Sequence, residues 1–139
     1  MRAKTKKNMW YLDSGCSHHM TGDQAMFSST SHKDGGYVTF GDNAKGKIVG
    51  KGKVGKSPSP TIENVLLANG LKHNLLSISQ FCDKNYKVVF KLDRYIVLDE
   101  NECALFIGSR HNNIHVVDLL NSIAFNKKCL VSVNDDTWL

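Results

Sequence analysis

Asp13-Ser14-Gly15 is the triplet in this chain best suited to chemistry. A carboxylate becomes a strong catalytic group when a second one lies close enough to share a proton. The ionised partner then activates a water, and the protonated one hydrogen-bonds a scissile carbonyl. Like charge at that separation splits the titration into two steps belonging to the pair. A Ser after the Asp can brace the loop through its hydroxyl, and a Gly permits the tight turn. The triplet alone also fits a plain surface turn. Asp13 is the one aspartate followed by Ser/Thr-Gly; Asp23, Asp34, Asp42, Asp83, Asp93, Asp99 and Asp118 lack that context. If the triplet does carry such chemistry, one chain holds one carboxylate of the pair, and a second copy related by a two-fold axis would supply the other.

Cys16, His18 and His19 follow closely, with His32 further on. A zinc site wants four ligands in recognisable pairs, and C-x-H-H with one distant His is poor spacing. No metal and no cofactor is therefore expected. A nucleophilic Cys16–His19 pair lacks an orienting acid and an oxyanion loop. Cys16 reads instead as a small core residue and His19 as a hydrogen-bonded structural one.

The elements that must hold these residues are mostly strands. Trp10-Tyr11-Leu12 is a short apolar run leading into Asp13. Tyr37-Val38-Thr39-Phe40 is β-branched and aromatic, as strands prefer. Turn formers Gly41-Asp42-Asn43-Ala44-Lys45-Gly46 follow, then Lys47-Ile48-Val49, which predicts a β-hairpin. Further strands are predicted at 62–67, 87–92, 95–98, 104–107 and 114–117. One helix interrupts them. Ser77 and Gln80 have the spacing of a capping box, and Ile78, Phe81 and Cys82 fall on one face. The helix should end near 83–85. An all-β domain follows, a small closed barrel with a hairpin and one short helix.

The bulk properties fit that reading. The 139 residues are 41% apolar and 22% charged, an ordinary globular composition for one domain. No run approaches the roughly 18 apolar residues of a membrane span, so no membrane partner is expected. Residues 1–9 form a basic tail unlike a secretory signal. The four cysteines form no C-x-x-C pair, which argues against a disulfide framework and for a reducing, intracellular setting. The net charge of +5 gathers at Lys4, Lys6 and Lys7 and again at Lys45, Lys47, Lys51, Lys53 and Lys56. That supports at most a nonspecific attraction to RNA or DNA. A solvated hairpin face and a flexible tail explain it better, since no aromatics interleave.

The order of these motifs resembles a retropepsin: D-[ST]-G, then a flap hairpin, then two apolar residues before a short helix. Trp10 to Ser17 with His19-Met20-Thr21, and Leu71 to Gln80 with its N-L-L-S-I-S-Q run, resemble the version in Ty1/copia-type retrotransposon polyproteins. The resemblance implies an aspartic endopeptidase that processes a Gag-Pol polyprotein as a homodimer, in the cytoplasm within virus-like particles. It makes Asp13 the catalytic carboxylate, Ser14 the bracing hydroxyl and Gly15 the turn residue. Residues Gly41, Asp42, Asn43, Ala44, Lys45 and Gly46 become the flap over a peptide substrate, and Leu75 and Leu76 pack behind the catalytic loop. The barrel would span 10–100, with extra strands and a linker toward integrase over 101–139. Ser77 stands where retropepsins usually carry Gly. A non-catalytic barrel that binds peptides or oligomerises is the competing reading.

Overall fold

Short apolar runs separated by Gly, Asn and Asp turns leave the chain little choice but a sheet of short strands. The computed structural model describes residues 8–40 and 44–119. Its strands are β1 (Met9–Asp13), β2 (Met20–Thr21), β3 (Phe27–His32), β4 (Tyr37–Phe40), β5 (Ala44–Val54) and β6 (Ile62–Ala68). They continue as β7 (Asn74–Ser77), β8 (Lys87–Phe90), β9 (Arg94–Leu98), β10 (Ala104–His111) and β11 (Ile114–Asp118). A 3-10 turn covers Gln24–Met26, and one helix, α1, covers Ile78–Asp83.

The all-β reading holds. The strands form one sheet in the order β3-β5-β6-β2-β7-β1-β11-β10-β9-β8, with β4 paired to β5. Closure is the correction: β3 and β8 end this path without pairing to each other, so the sheet is not a closed barrel. Residues 28–32 of β3 are all exposed and polar, and polar side chains discourage edge pairing. The sheet nevertheless wraps a main core. Val54, Ile62 and Val65 from one half share a cluster with Tyr95, Val97 and Phe106 from the other, around Trp10 and Leu76.

β1 lies in the middle of the path. It runs parallel to β7, with Tyr11 opposite Leu75 and Asp13 opposite Ser77. On its other side it runs antiparallel to β11, with Trp10 opposite Val117. β10 and β11 are thus integral to the sheet that carries Asp13. The predicted hairpin is present, pairing Tyr37 with Lys47 and Phe40 with Ala44. Its tip, Gly41, Asp42 and Asn43, lies outside the described residues, as does the part of the predicted 101–139 strand-and-linker region beyond residue 119.

The helix begins as its cap requires. Ser77 Oγ accepts the Gln80 N–H at 3.0 Å, and Phe81 is the residue that α1 buries. Cys82 departs from the predicted apolar face, for it is exposed; six residues make too little helix to bury a whole stripe. Cys16 and Cys82 are free thiols. Cys103 is disulfide-bonded, a single bond where the cysteine spacing argues only against a disulfide framework.

Candidate active site

Successive side chains of a strand point to opposite faces, and this alternation decides where Asp13 goes. Trp10 and Leu12 turn inward to the core. Tyr11 and Asp13 therefore share the other face, the one on which Leu75 packs with Met20, Ile48, Leu66 and Cys16. Leu76, opposite Leu12, is fully buried in the core. Leu75 and Leu76 thus back the loop on two different faces.

Beyond β1 the chain turns sharply. The Gly15 N–H donates to Asp13 Oδ1 at 2.7 Å, leaving Oδ2 without a hydrogen-bond partner among the described residues. A Cβ at Gly15 would lie 3.2 Å from that same Oδ1. Glycine is the residue that lets the loop close on its own carboxylate. Ser14 and Gly15 are exposed and Asp13 is half-buried.

The loop is anchored from behind by the N-L-L-S-I-S-Q segment. Ser77 Oγ donates to Cys16 O at 2.8 Å, while the Ser77 N–H donates to His19 Nδ1 at 2.9 Å. The His19 N–H in turn donates to Gln80 Oε1 at 2.8 Å. Gln80 Nε2 donates to the carbonyl of Asn64 at 3.0 Å. Half of the capping box is therefore made as predicted, and the other half is rerouted: His19 takes the Ser77 N–H that the Gln80 side chain would have received. A second anchor lies at the start of β1. Thr21 Oγ1 donates to Asn74 Oδ1 at 2.5 Å, and Asn74 Nδ2 donates to Met9 O at 3.0 Å.

These partners set the protonation states. His19 is only 3% exposed and its ring packs against Phe81 at 4.5 Å between centroids. Burial, then the nearby His18 and Lys84, lowers its pKa to about 3. Burial, then the charge of Asp13, raises Cys16 to about 11. A neutral thiol beside a carboxylate is a poor nucleophile. Nδ1 of His19 is already occupied by Ser77, so the Cys16-His18-His19 cluster does not present that nitrogen to a metal.

Of the flap residues, Ala44, Lys45 and Gly46 lie in β5 opposite Phe40, Thr39 and Val38. Gly46 shares the face of Val38, which packs on the Met20, Ile48 and Leu66 cluster. The hairpin base thus covers the face to which Asp13 belongs. Sequence reasoning missed Gln80 and Asn64 as parts of the site. Gln80 was visible only as a helix cap, and Asn64 acts through its backbone, held at φ 60°, which no side-chain pattern announces.

Comparison with curated proteins finds no match, and comparison with solved structures finds none either. The family described as Pol polyprotein, beta-barrel domain matches residues 10–86, a span that holds the Asp13 loop, the hairpin and the Leu75-Leu76-Ser77 segment. That span is more than half of the 139 residues, and the chain therefore belongs to the Pol polyprotein β-barrel domain family.

Proposed function

We propose that this chain is the aspartic endopeptidase segment of a copia-type retrotransposon polyprotein, active as a homodimer in which each copy contributes Asp13. The observation that carries the reading is the state of that carboxylate. One oxygen is oriented by the Gly15 N–H at 2.7 Å, the other lacks a partner among the described residues, and a buried network fixes the loop behind it. A group held rigidly yet left with a free oxygen suits general acid–base work on a water. Membership of a Pol polyprotein family supports a polyprotein as the context. In this reading a second copy supplies the second carboxylate across a two-fold axis. The exposed Ser14 hydroxyl is then available to the facing loop.

The experiment is incubation with a polyprotein fragment that spans the chain's own flanks, comparing wild type with Asp13→Asn. The carboxamide is nearly isosteric but cannot act as a base, so cleavage should vanish with the fold intact. Activity should rise faster than linearly with concentration, and excess Asp13→Asn subunits should poison wild type. Cleavage by the variant at near wild-type rate would sink the assignment. Constant specific activity in a protein monomeric by light scattering would sink the dimer.

A further inference from the structure

Between the base of the β4–β5 hairpin and the segment after Asp13 lies a groove of about 270 Å³, lined among others by His18, Lys33, Ile48, Lys51, Leu66 and Gln80. Its floor is apolar: Ile48 and Leu66 are buried and pack with Met20. Its rim is basic. Lys33, Lys51 and His18 are exposed, and no Asp or Glu lines it. Neither lysine forms an ion pair among the described residues; the pairs present are Lys87–Glu102 and Arg94–Asp93. The Gln80 amide is engaged by His19 and Asn64, which leaves the Asn64 side chain and the charged donors at the rim for a ligand.

The register ties this groove to Asp13. Lys51 lies opposite Leu66 across β5 and β6, and directly opposed residues share a face. Leu66 packs in the cluster that also receives Leu75, on the face to which Asp13 belongs by alternation along β1. His18 stands five residues after Asp13, on the same loop. An extended chain crossing Asp13 beneath the hairpin would therefore lay a side chain into this groove.

We infer that the groove receives an acidic side chain of an extended peptide, so that the site selects segments with Glu or Asp at one fixed position from the cleaved bond. A glutamate fits both parts of the lining. Its methylenes lie on Ile48 and Leu66, and its carboxylate meets the two lysine ammonium groups at the rim. Naming the peptide a substrate rests on the endopeptidase reading; the charge preference of the groove does not.

The test uses the full chain carrying Asp13→Asn, so that bound peptide stays intact. The probes are fluorescein-labelled octapeptides of uncharged residues in which a single Glu is walked along the sequence, each matched by its Gln counterpart. All lining residues belong to one chain, so binding is readable by anisotropy on monomer or dimer. At one position the Glu peptide should bind roughly tenfold tighter than its Gln mate, the scale of one charge-assisted hydrogen bond. Added salt should shrink that difference. The double variant Lys33→Glu/Lys51→Glu, altered only at exposed positions, should invert the preference toward a Lys peptide. Equal binding of Glu and Gln peptides, absence of peptide binding, or a preference that survives both substitutions overturns the inference. So does single-stranded RNA binding that needs both lysines while the peptides fail, which would make the groove a phosphate site. Cleavage by wild type separates the two readings. A Glu peptide bound through Lys33 and Lys51 but left uncut keeps the groove and removes the protease. A peptide cut without charge preference does the reverse.

Discussion

The imidazole of His19 accepts the backbone N–H of Ser77 at 2.9 Å, joining the loop after Asp13 to the start of the helix across 58 residues of chain. An acceptor at Nδ1 requires the neutral ring with its proton on Nε2. The contact therefore holds the Asp13 loop in place only while His19 stays unprotonated. Its neighbours enforce that state, since burial, His18 and Lys84 all oppose a positive charge there.

Acid should loosen the fold through this residue. The folded pKa of about 3 lies below the ordinary 6.5, so the unfolded chain binds the proton first. Stability contributed by neutral His19 is complete above about pH 6.5 and is lost as pH falls toward about 3. The slope for one proton is about 1.4 kcal/mol per pH unit. Between about pH 6.5 and 5 most carboxylates remain ionised, which leaves the histidines to titrate, His115 among them, so a variant is needed to single out His19. His19→Asn keeps an acceptor near the Nδ1 position and removes the titration. Urea unfolding across that window should show a clearly flatter slope for the variant. Equal slopes would mean that His19 is not held neutral.

The elements themselves were largely legible, and the exceptions have physical causes. β1, β4, β6, β9 and β11 announce themselves because apolar and β-branched residues cluster there. β3 does not, since Ser28-Ser29-Thr30-Ser31 is a polar edge strand held by its pairing with β5. β2 has two residues and exists because β6 and β7 flank it. Leu75-Leu76 reads as a lead into the helix, yet forms a strand beside β1. Closure of the sheet was beyond reach as well. It depends on whether the two edge strands meet, and β3, whose polar pattern discourages that pairing, was not recognised as a strand. At the site, Asp13 was visible by its triplet, whereas the network behind it joins residues 16, 19, 64, 77 and 80, which only the parallel β1–β7 pairing and the β6 bend bring together.

Gly15→Ala should separate positioning from folding. Gly15 is exposed, so a methyl group there displaces no core, and the unfolding free energy should change by less than about 0.5 kcal/mol. The new Cβ would press on Asp13 Oδ1 at 3.2 Å, a tight approach that shifts the carboxylate by a few tenths of an ångström. If Asp13 is the reacting group, a displacement of that order should lower kcat about tenfold. Wild-type kcat in a variant with an unchanged midpoint would show that the orientation of Oδ1 does not matter.

Tyr95 carries the opposite expectation, a substitution that strengthens the fold. Its side chain is fully buried in the core, edge-on to Phe106 at 6.1 Å and to His115 at 5.6 Å between ring centroids. Its hydroxyl finds no hydrogen-bond partner among the described residues, and burial pushes the phenol's pKa upward. A buried polar group without a partner costs about 1–3 kcal/mol of desolvation. The ring itself is needed. It lies over Gly108, directly opposite on β10, where an added Cβ would fall on the ring atoms. Tyr95→Phe keeps the ring and removes the orphan oxygen, so the unfolding free energy should rise by about 1 kcal/mol. Gly108→Ala drives a methyl into the ring and should lower it by about 1–3 kcal/mol. A fall in stability for Tyr95→Phe would mean that the hydroxyl is satisfied in solution, and with it the packing of β9 on β10 would need another account.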